Sequence, residues 1–161
     1  MTAAAWFEDL RQQHFPPARN HVPAHLTLFH ALPGEQEAEI GETLKAACRQ
    51  APPLRLEVRG PWSLGRGVAY RIASPGLERL RADLAAAFDP WLTRQDRAPF
   101  RAHVTIQNKV DPETARALLA DLQFQFEPFE IVATGLQVWR YLGGPWAHVA
   151  ELPFSAPGVG L

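Results

Sequence analysis

The residues HLTLFHALPG, 25–34, combine the alternation of a β-strand with polar side chains that a plain core strand would lack. In a strand, residues two apart share a face. His25 and Thr27 therefore point to one side, whereas Leu26 and Leu28 point to the other. The stretch predicts a strand that packs through its leucines and offers an imidazole and a hydroxyl on its free face.

The same pattern returns in HVTIQNKV, residues 103–110. His103 and Thr105 share one face of this second predicted strand, with Val104 and Ile106 behind them. A single histidine beside a threonine on a strand is usually a solvated pair. Two copies, each backed by apolar residues, favour a functional role instead.

Working outward from the two motifs, the hydrophobic spacing predicts helices and strands in a repeating order. Helices are expected at residues 4–13, 35–50, 77–92 and 111–122, the last capped by Asp111; strands are expected at residues 24–32, 54–62, 67–73, 102–107, 129–142 and 146–154. Each half thus contains an H-x-T strand, a helix and a two-strand hairpin, which indicates an approximate internal duplication. Folding of such halves about a pseudo-two-fold axis would bring the two H-x-T strands side by side.

The composition restricts the classes of protein that fit. A formal net charge of −1 over 161 residues argues against a protein that wraps long nucleic acid electrostatically. The single cysteine, Cys48, excludes an internal disulfide. No stretch approaches 18 apolar residues, and the N-terminus lacks the features of a signal peptide. We therefore expect a cytoplasmic protein with no membrane partner, and a monomer.

Two histidines and two hydroxyls around one small space suit a phosphate group. One neutral imidazole would accept a proton from water or a ribose hydroxyl, and the other, as imidazolium, would protonate the leaving oxygen. The threonines would donate hydrogen bonds to the non-bridging oxygens. This chemistry needs no cofactor or metal. A zinc site is the competing interpretation, but it requires a third ligand, for which His21, His30 and His148 remain open.

The two motifs also carry a family resemblance. HLTL at residues 25–28 and HVTI at residues 103–106 resemble the paired H-x-T-x motifs of the 2H phosphoesterase superfamily. With LQVWRYLGGPW, 136–146, they are most similar to its 2′-5′ RNA ligase and cyclic phosphodiesterase branch, also called LigT-like. The resemblance extends from about Pro16 to Phe154.

The resemblance implies a bilobal α+β fold in which two antiparallel sheets form a central cleft with helices packed outside. It implies one domain over residues 1–161, with lobes at about 16–92 and 93–154 that could exchange strands. The residues SAPGVGL, 155–161, are expected to form a flexible tail. It makes His25 and His103 the catalytic pair and Thr27 and Thr105 the phosphate-binding hydroxyls. Some members place an arginine after the second motif, where this sequence has Gln107, Asn108 and Lys109.

Other side chains are weaker candidates for lining the same cleft. They are Lys109, Tyr70, His148, Arg140 and Tyr141. Lys109 would share the face of His103 if the strand continued that far, and an aromatic ring or an arginine could hold a base or a phosphate. The tryptophans Trp62, Trp139 and Trp146 are expected in the core or between the lobes.

The leading functional hypothesis is a metal-independent enzyme that hydrolyses 2′,3′-cyclic or related phosphodiesters of RNA ends or small nucleotides. The same site could run in reverse as a 2′-5′ RNA ligase, and the sequence does not choose the direction. The alternative is a non-catalytic nucleotide- or RNA-binding module in which the same four residues only hold phosphate.

Overall fold

The computed structural model describes residues 2–158 and has the α+β composition that the sequence predicts. Its helices are α1 Ala3–His14, α2 Glu37–Gln50, α3 Pro75–Ala87, α4 Arg94–Arg97 and α5 Pro112–Gln125, with 3₁₀ turns at Pro17–Arg19, Gly34–Gln36 and Asp89–Trp91. Its strands are β1 Leu54–Ser63, β2 Val68–Ala73, β3 His103–Gln107, β4 Phe129–Ala133, β5 Gly135–Tyr141 and β6 Trp146–Pro153. None of the helices in the described part of the chain is long and apolar enough to span a membrane.

The strands form two antiparallel sheets, which confirms the predicted fold class. One sheet has four strands in the order β3-β2-β1-β4, and the other has the two strands β5 and β6. Both predicted hairpins are present, because β1 pairs with β2 and β5 pairs with β6. β3 comes from the second half of the sequence and pairs with β2 from the first half.

The chain divides into two compact units, each built from separate segments. The first unit contains residues 2–27, Glu57–Ala73 and Arg101–Ile131. The second unit contains Leu28–Leu56, Ser74–Phe100 and residues 132–158. Both H-x-T motifs belong to the first unit.

An aromatic cluster forms much of the core of the first unit. Tyr70 of β2 packs against Trp6 and Phe7 of α1, and against Phe126 at the end of α5. Tyr70 is almost completely buried, and so are its neighbours Val68 and Val104. Burial of large aromatic rings stabilises such an arrangement strongly. The cluster fixes α1 and the four-stranded sheet relative to each other, and with them the strand that carries the second motif.

The second unit has its own aliphatic core between helices and sheet. Ile40 and Leu44 of α2 pack with Leu84 of α3 and with Phe88, which follows that helix. Leu136 of β5 is among the partly buried side chains that pack against this cluster. These contacts confirm the helical spacing predicted for residues 35–50. The helix predicted at residues 77–92 is shorter than expected, since α3 ends at Ala87 and a 3₁₀ turn follows at Asp89–Trp91.

Helix α5 begins as the sequence predicts. The carboxylate of Asp111 accepts a hydrogen bond from the Thr114 amide at 2.9 Å, and Pro112 occupies the first turn. Proline is tolerated there because the first amides of a helix have no intrahelical acceptor.

The strand predicted at residues 24–32 is wrong. This segment makes only one antiparallel β-bridge, between Leu26 and Val104. The ladder cannot extend further because Pro23 lacks an amide donor and the chain enters the second unit at Leu28. The long strand predicted at residues 129–142 is also wrong, since it is divided at Thr134 into β4 and β5, which belong to different sheets.

Two smaller features were also missed. The connector predicted after residue 92 contains the single-turn helix α4, capped by Thr93. In the expected tail, the amides of Ser155 and Ala156 donate to the carbonyls of Cys48 and Ala51 at 3.0 and 3.1 Å, so the tail begins as an ordered segment. Residues 159–161 lie outside the described part of the chain.

Candidate active site

The bridge between Leu26 and Val104 aligns the two H-x-T motifs in the first unit. Residues on either side of an antiparallel bridge also lie opposite each other. His25 therefore lies across from Thr105, and Thr27 lies across from His103. By the alternation of paired extended chains, these four positions face away from the side on which Leu26 and Val104 pack.

The resulting arrangement is a two-by-two array with alternating chemistry. The histidines occupy one diagonal and the threonines occupy the other. Diagonal neighbours of an antiparallel pair have their backbones about 7–8 Å apart. Side chains that follow this backbone pairing flank the centre of the array with an imidazole on two opposite sides and with a hydroxyl on the other two.

Both imidazoles are held in the same way. The Nδ1 atom of His25 lies 2.7 Å from the carbonyl oxygen of Pro23, and the Nδ1 atom of His103 lies 2.7 Å from the carbonyl oxygen of Arg101. Because a carbonyl oxygen only accepts, each Nδ1 must carry a proton for this bond to form. In the neutral ring, the Nε2 lone pair is then free to accept a proton.

The surroundings of His25 favour its neutral form. The ring keeps an exposed edge, but neighbouring protein atoms remove water from much of it, and this burial lowers the pKa of His25 below its ordinary value of 6.5. The positive charges of Arg11 and protonated His103 lower it further, against the opposing effects of the Pro23 carbonyl and Glu8. His25 is thereby suited to accept a proton near neutral pH.

Helix α1 anchors both motif segments. The carboxylate of Glu8 accepts a hydrogen bond from the Ala24 amide at 2.6 Å, immediately before His25. The buried guanidinium of Arg11 donates to the Thr105 carbonyl at 2.9 Å and to the side chain of Asn20 at 2.7 Å. Sequence periodicity gave no indication of these anchors, because they join residues that are distant in the chain.

The face that carries the motifs continues across β2 and β1. Arg71 lies directly opposite His103, and Ala69 lies directly opposite Thr105. Trp62 of β1 lies opposite Ala69. The Trp62 ring packs edge-to-face with the His103 imidazole at a centroid distance of 5.9 Å and an interplanar angle of 82°.

Trp62 is therefore half-buried beside the second motif, which the expectation of a core or interlobe position did not foresee. Arg71 was not among the sequence candidates. Its alternation with buried neighbours in β2 was the one available signal, since Tyr70 and Ile72 are buried and Arg71 is exposed.

Tyr70 does not belong to this face, and the expectation that it lines the site is wrong. It lies opposite Val104, so its ring points to the apolar side of the sheet. Burial raises the pKa of Tyr70 to about 12. The residue is a core aromatic.

The segment after the second motif also differs from expectation. β3 ends at Gln107, so the strand does not continue far enough for Lys109 to share the face of His103. Lys109 has a left-handed backbone with φ 63°, and its amide donates to the Asn108 side chain at 2.9 Å. Asparagine and a left-handed residue here form a tight exit from the strand. The Lys109 side chain is exposed.

The remaining lining candidates lie in the second unit. His148 of β6 packs edge-to-face with Trp139 of β5, with 5.1 Å between the ring centroids. Both rings lie on one face of the hairpin. Tyr141 and Trp146 form an exposed pair at the end of the same hairpin, with their ring planes tilted by 46°.

Arg140 forms an ion pair with Glu37 of α2, at 2.7 Å. The Nδ1 atom of His30 lies 3.0 Å from the buried carboxylate of Asp96, so this histidine takes part in a structural contact of the second unit. Among residues 2–158, no three histidine, cysteine or acidic side chains lie close enough together to hold a metal ion.

Comparison with known proteins gives a consistent result over nearly the whole chain. A family model described as the 2′-5′ RNA ligase superfamily matches residues 2–145. No curated protein matches the sequence. Solved structures with the same fold include TT0787 of Thermus thermophilus, at 17% identity and a TM-score of 0.64, covering 96% of this chain and 93% of that chain.

Two further structures share the fold. One is a phosphoesterase, at 19% identity and a TM-score of 0.56, covering 97% of this chain and 95% of that one. The other is Escherichia coli LigT complexed with NADP⁺, at 19% identity and a TM-score of 0.54, covering 94% and 93% of the two chains. These likenesses establish a common fold, and the family match extends across both H-x-T motifs. The chain belongs to the 2′-5′ RNA ligase superfamily.

Proposed function

We propose that the protein is a metal-independent phosphodiesterase that opens 2′,3′-cyclic phosphates on RNA ends or small nucleotides. The observation that carries this proposal is the two-by-two array, which sets two imidazoles across one diagonal and two hydroxyls across the other. A phosphate at its centre would meet a proton acceptor on one side and a proton donor on the opposite side, as in-line displacement requires. The hydroxyls of Thr27 and Thr105 would donate to the non-bridging oxygens.

The proposed reaction uses the histidines in different roles. The Nε2 atom of neutral His25 takes a proton from water as the water oxygen bonds to phosphorus. The bond from phosphorus to one ribose oxygen breaks, and Nε2 of protonated His103 gives its proton to that oxygen. The product is a ribose 2′- or 3′-phosphate. The lowered pKa of His25 supports its assignment as the base.

Ligation would use the same groups with a ribose 5′-hydroxyl in place of water. His25 would accept the proton of that hydroxyl as its oxygen bonds to phosphorus, the bond from phosphorus to the 3′ oxygen would break, and His103 would protonate that oxygen, which leaves a 2′-5′ phosphodiester. The relative concentrations of water, RNA ends and product would set which reaction prevails. E. coli LigT, which shares the fold, forms a complex with NADP⁺, a nucleotide that carries a phosphate on the 2′ oxygen of its adenosine. This complex supports a phosphorylated nucleotide as the ligand of the present chain. Substrate identity in this chain is part of the proposal.

The test is an assay of the purified protein, with EDTA present, on adenosine 2′,3′-cyclic phosphate and on RNA with a cyclic-phosphate end. Replacement of either histidine, His25→Asn or His103→Asn, should lower the rate about 10²- to 10⁴-fold. His14→Asn, at the end of α1, provides a matched control and should keep the rate. Equal rates in all variants would refute the proposal, and tight nucleotide binding without turnover would favour the binding-module alternative.

A further inference from the structure

Beyond the two motifs, the same face of the first unit presents a cationic side chain. Arg71 lies directly opposite His103, and its side chain starts one strand spacing, about 4.8 Å, further across the sheet. Its row neighbour on β1 is Gly60, which has no side chain. Arg71 is exposed, and among residues 2–158 its guanidinium makes neither a hydrogen bond nor an ion pair.

The neighbouring residues hold the guanidinium near the array. The Arg71 guanidinium carbon lies 5.5 Å from the centre of the Trp62 ring. Trp62 in turn contacts the His103 imidazole and lies across from the small side chain of Ala69. A guanidinium stacked on an aromatic ring has lost part of its rotational freedom, so it can bind an anion at lower entropic cost.

The cationic guanidinium of Arg71 suits an anionic ligand. The guanidinium presents several donors in a planar fork that matches phosphate oxygens. Arg71 and the His25 segment lie on opposite sides of β3, the strand that carries His103. The strand of Arg71 is therefore about one strand spacing further from the reacting phosphate than β3 is. In a nucleotide whose cyclic phosphate sits between the histidines, the anionic group nearest to that position is the 5′-phosphate of the same ribose.

We propose that Arg71, positioned by Trp62, binds the 5′-phosphate of the nucleotide whose cyclic phosphate reacts. This inference rests on the proposed function of the two motifs. In RNA, that 5′-phosphate is the preceding phosphodiester, whereas a free nucleoside cyclic phosphate lacks it. The protein would thus prefer RNA 3′ ends, or nucleotides that carry a 5′-phosphate, over nucleoside 2′,3′-cyclic phosphates.

Binding of reaction products tests the inference without requiring turnover. The ligands are the 2′- and 3′-monophosphates of adenosine and the corresponding 2′,5′- and 3′,5′-bisphosphates, titrated by calorimetry at fixed ionic strength. The protein should bind at least one bisphosphate about tenfold more tightly than its matching monophosphate. Arg71→Ala should abolish this difference and leave monophosphate affinity within about twofold, and Arg71→Lys should keep part of it.

The control is Arg116→Ala, which removes an exposed arginine from α5 and changes the net charge equally. It should retain the preference for the bisphosphate. Equal affinities of mono- and bisphosphates for the unmodified protein would overturn the inference. An Arg71→Ala variant that keeps the preference for the bisphosphate would also overturn it. So would loss of the preference in Arg116→Ala to the same extent as in Arg71→Ala, because the effect would then be one of net charge.

Turnover separates this inference from the proposed function. Adenosine 2′,3′-cyclic phosphate, its 5′-phosphorylated form and an adenylyl-adenosine ending in a cyclic phosphate form a graded series. We expect Arg71→Ala to lower kcat/KM about tenfold for the last two alone. If all three are hydrolysed equally and lose activity equally in Arg71→Ala, the site at Arg71 is refuted and the phosphodiesterase stands. If none is hydrolysed but the bisphosphate preference depends on Arg71, the phosphodiesterase is refuted and the site at Arg71 stands.

Discussion

Leu26 and Val104 form one antiparallel bridge, and this single contact places the two H-x-T motifs side by side. The bridge joins the central apolar residue of each motif, so the polar residues on either side are paired across it. The apolar pair also supplies the packing, since Val104 is buried in the core of the first unit. A rigid backing of this kind is what a site needs to hold its functional groups in position.

The threonine hydroxyls provide the first prediction. Thr27→Val and Thr105→Val keep the shape and β-branching of the side chain and remove only the hydroxyl. Each should lower kcat/KM for a cyclic phosphate about tenfold by removing a hydrogen bond to a charged group. Steady-state kinetics with the Thr→Ser variants as controls would check this. Activity that survives both valine substitutions would show that the hydroxyls do not contact phosphate.

The pH dependence of kcat/KM follows from the environment of His25. Its pKa is lowered, so the ring stays neutral to a lower pH than an ordinary histidine. As the base, it must be neutral, and activity should therefore rise with pH through a midpoint below about 6.5.

NMR titration of the His25 ring would identify the group responsible for the acid limb. A His25 midpoint above 6.5, or an acid limb that remains in place in a residual-activity His25→Asn variant, would contradict the assignment.

Arg11 connects helix α1 to the second motif, and its replacement should cost stability. Arg11→Lys retains the charge but cannot donate to both the Thr105 carbonyl and the Asn20 side chain in the same geometry. We expect a loss of about 2 kcal/mol in the free energy of unfolding. Urea denaturation would measure it, with the exposed Arg116→Lys as the matched control. A difference of less than about 0.5 kcal/mol between the two variants would argue against this anchoring role.

Asp96 provides a prediction in the second unit. Its buried carboxylate accepts hydrogen bonds from the amides of His30 and Ala31 and from the His30 ring. Burial opposes the charged form, but these hydrogen bonds outweigh it and lower the pKa of Asp96. Asp96→Asn should lower the free energy of unfolding by about 2–4 kcal/mol at neutral pH.

The stabilisation by Asp96 should depend on pH in one direction. A lowered carboxyl pKa stabilises the fold above the unfolded value of about 3.9, and this contribution is lost as the pH falls through the folded pKa. The difference in stability between the unmodified protein and Asp96→Asn should therefore be constant above about pH 5 and shrink below about pH 4. A difference that grows on acidification would contradict this account.

The regular part of the fold was predictable because it depends on local patterns. Helical spacing gives α2 and α3, alternation gives β1 and β2, and Asp111 gives the start of α5. The irregular backbone around His25 could not be predicted. Alternating polar and apolar residues are equally compatible with a full strand and with a segment that makes a single bridge. A ladder forms only if the following residues stay beside β3, whereas from Leu28 onward this chain belongs to the second unit.

The candidate site was predictable within each motif but not between the motifs. Each motif places its histidine and threonine on one face, so the sequence contains this relationship directly. The register that joins the motifs, and the addition of Arg71 and Trp62 to the same face, arise from pairing between distant strands. For the same reason Tyr70 was assigned to the wrong face, since parity within one strand does not reveal which side the helices cover.

The central claim is that the two motifs form one phosphate site. The most direct measurement is a crystal structure of the protein soaked with an adenosine 2′- or 3′-monophosphate, compared with the same soak of His25→Asn. We expect the phosphate between the imidazoles of His25 and His103, within hydrogen-bond distance of the Thr27 and Thr105 hydroxyls, and weaker occupancy in the variant. A phosphate bound elsewhere in both crystals, with this array empty, would contradict the account.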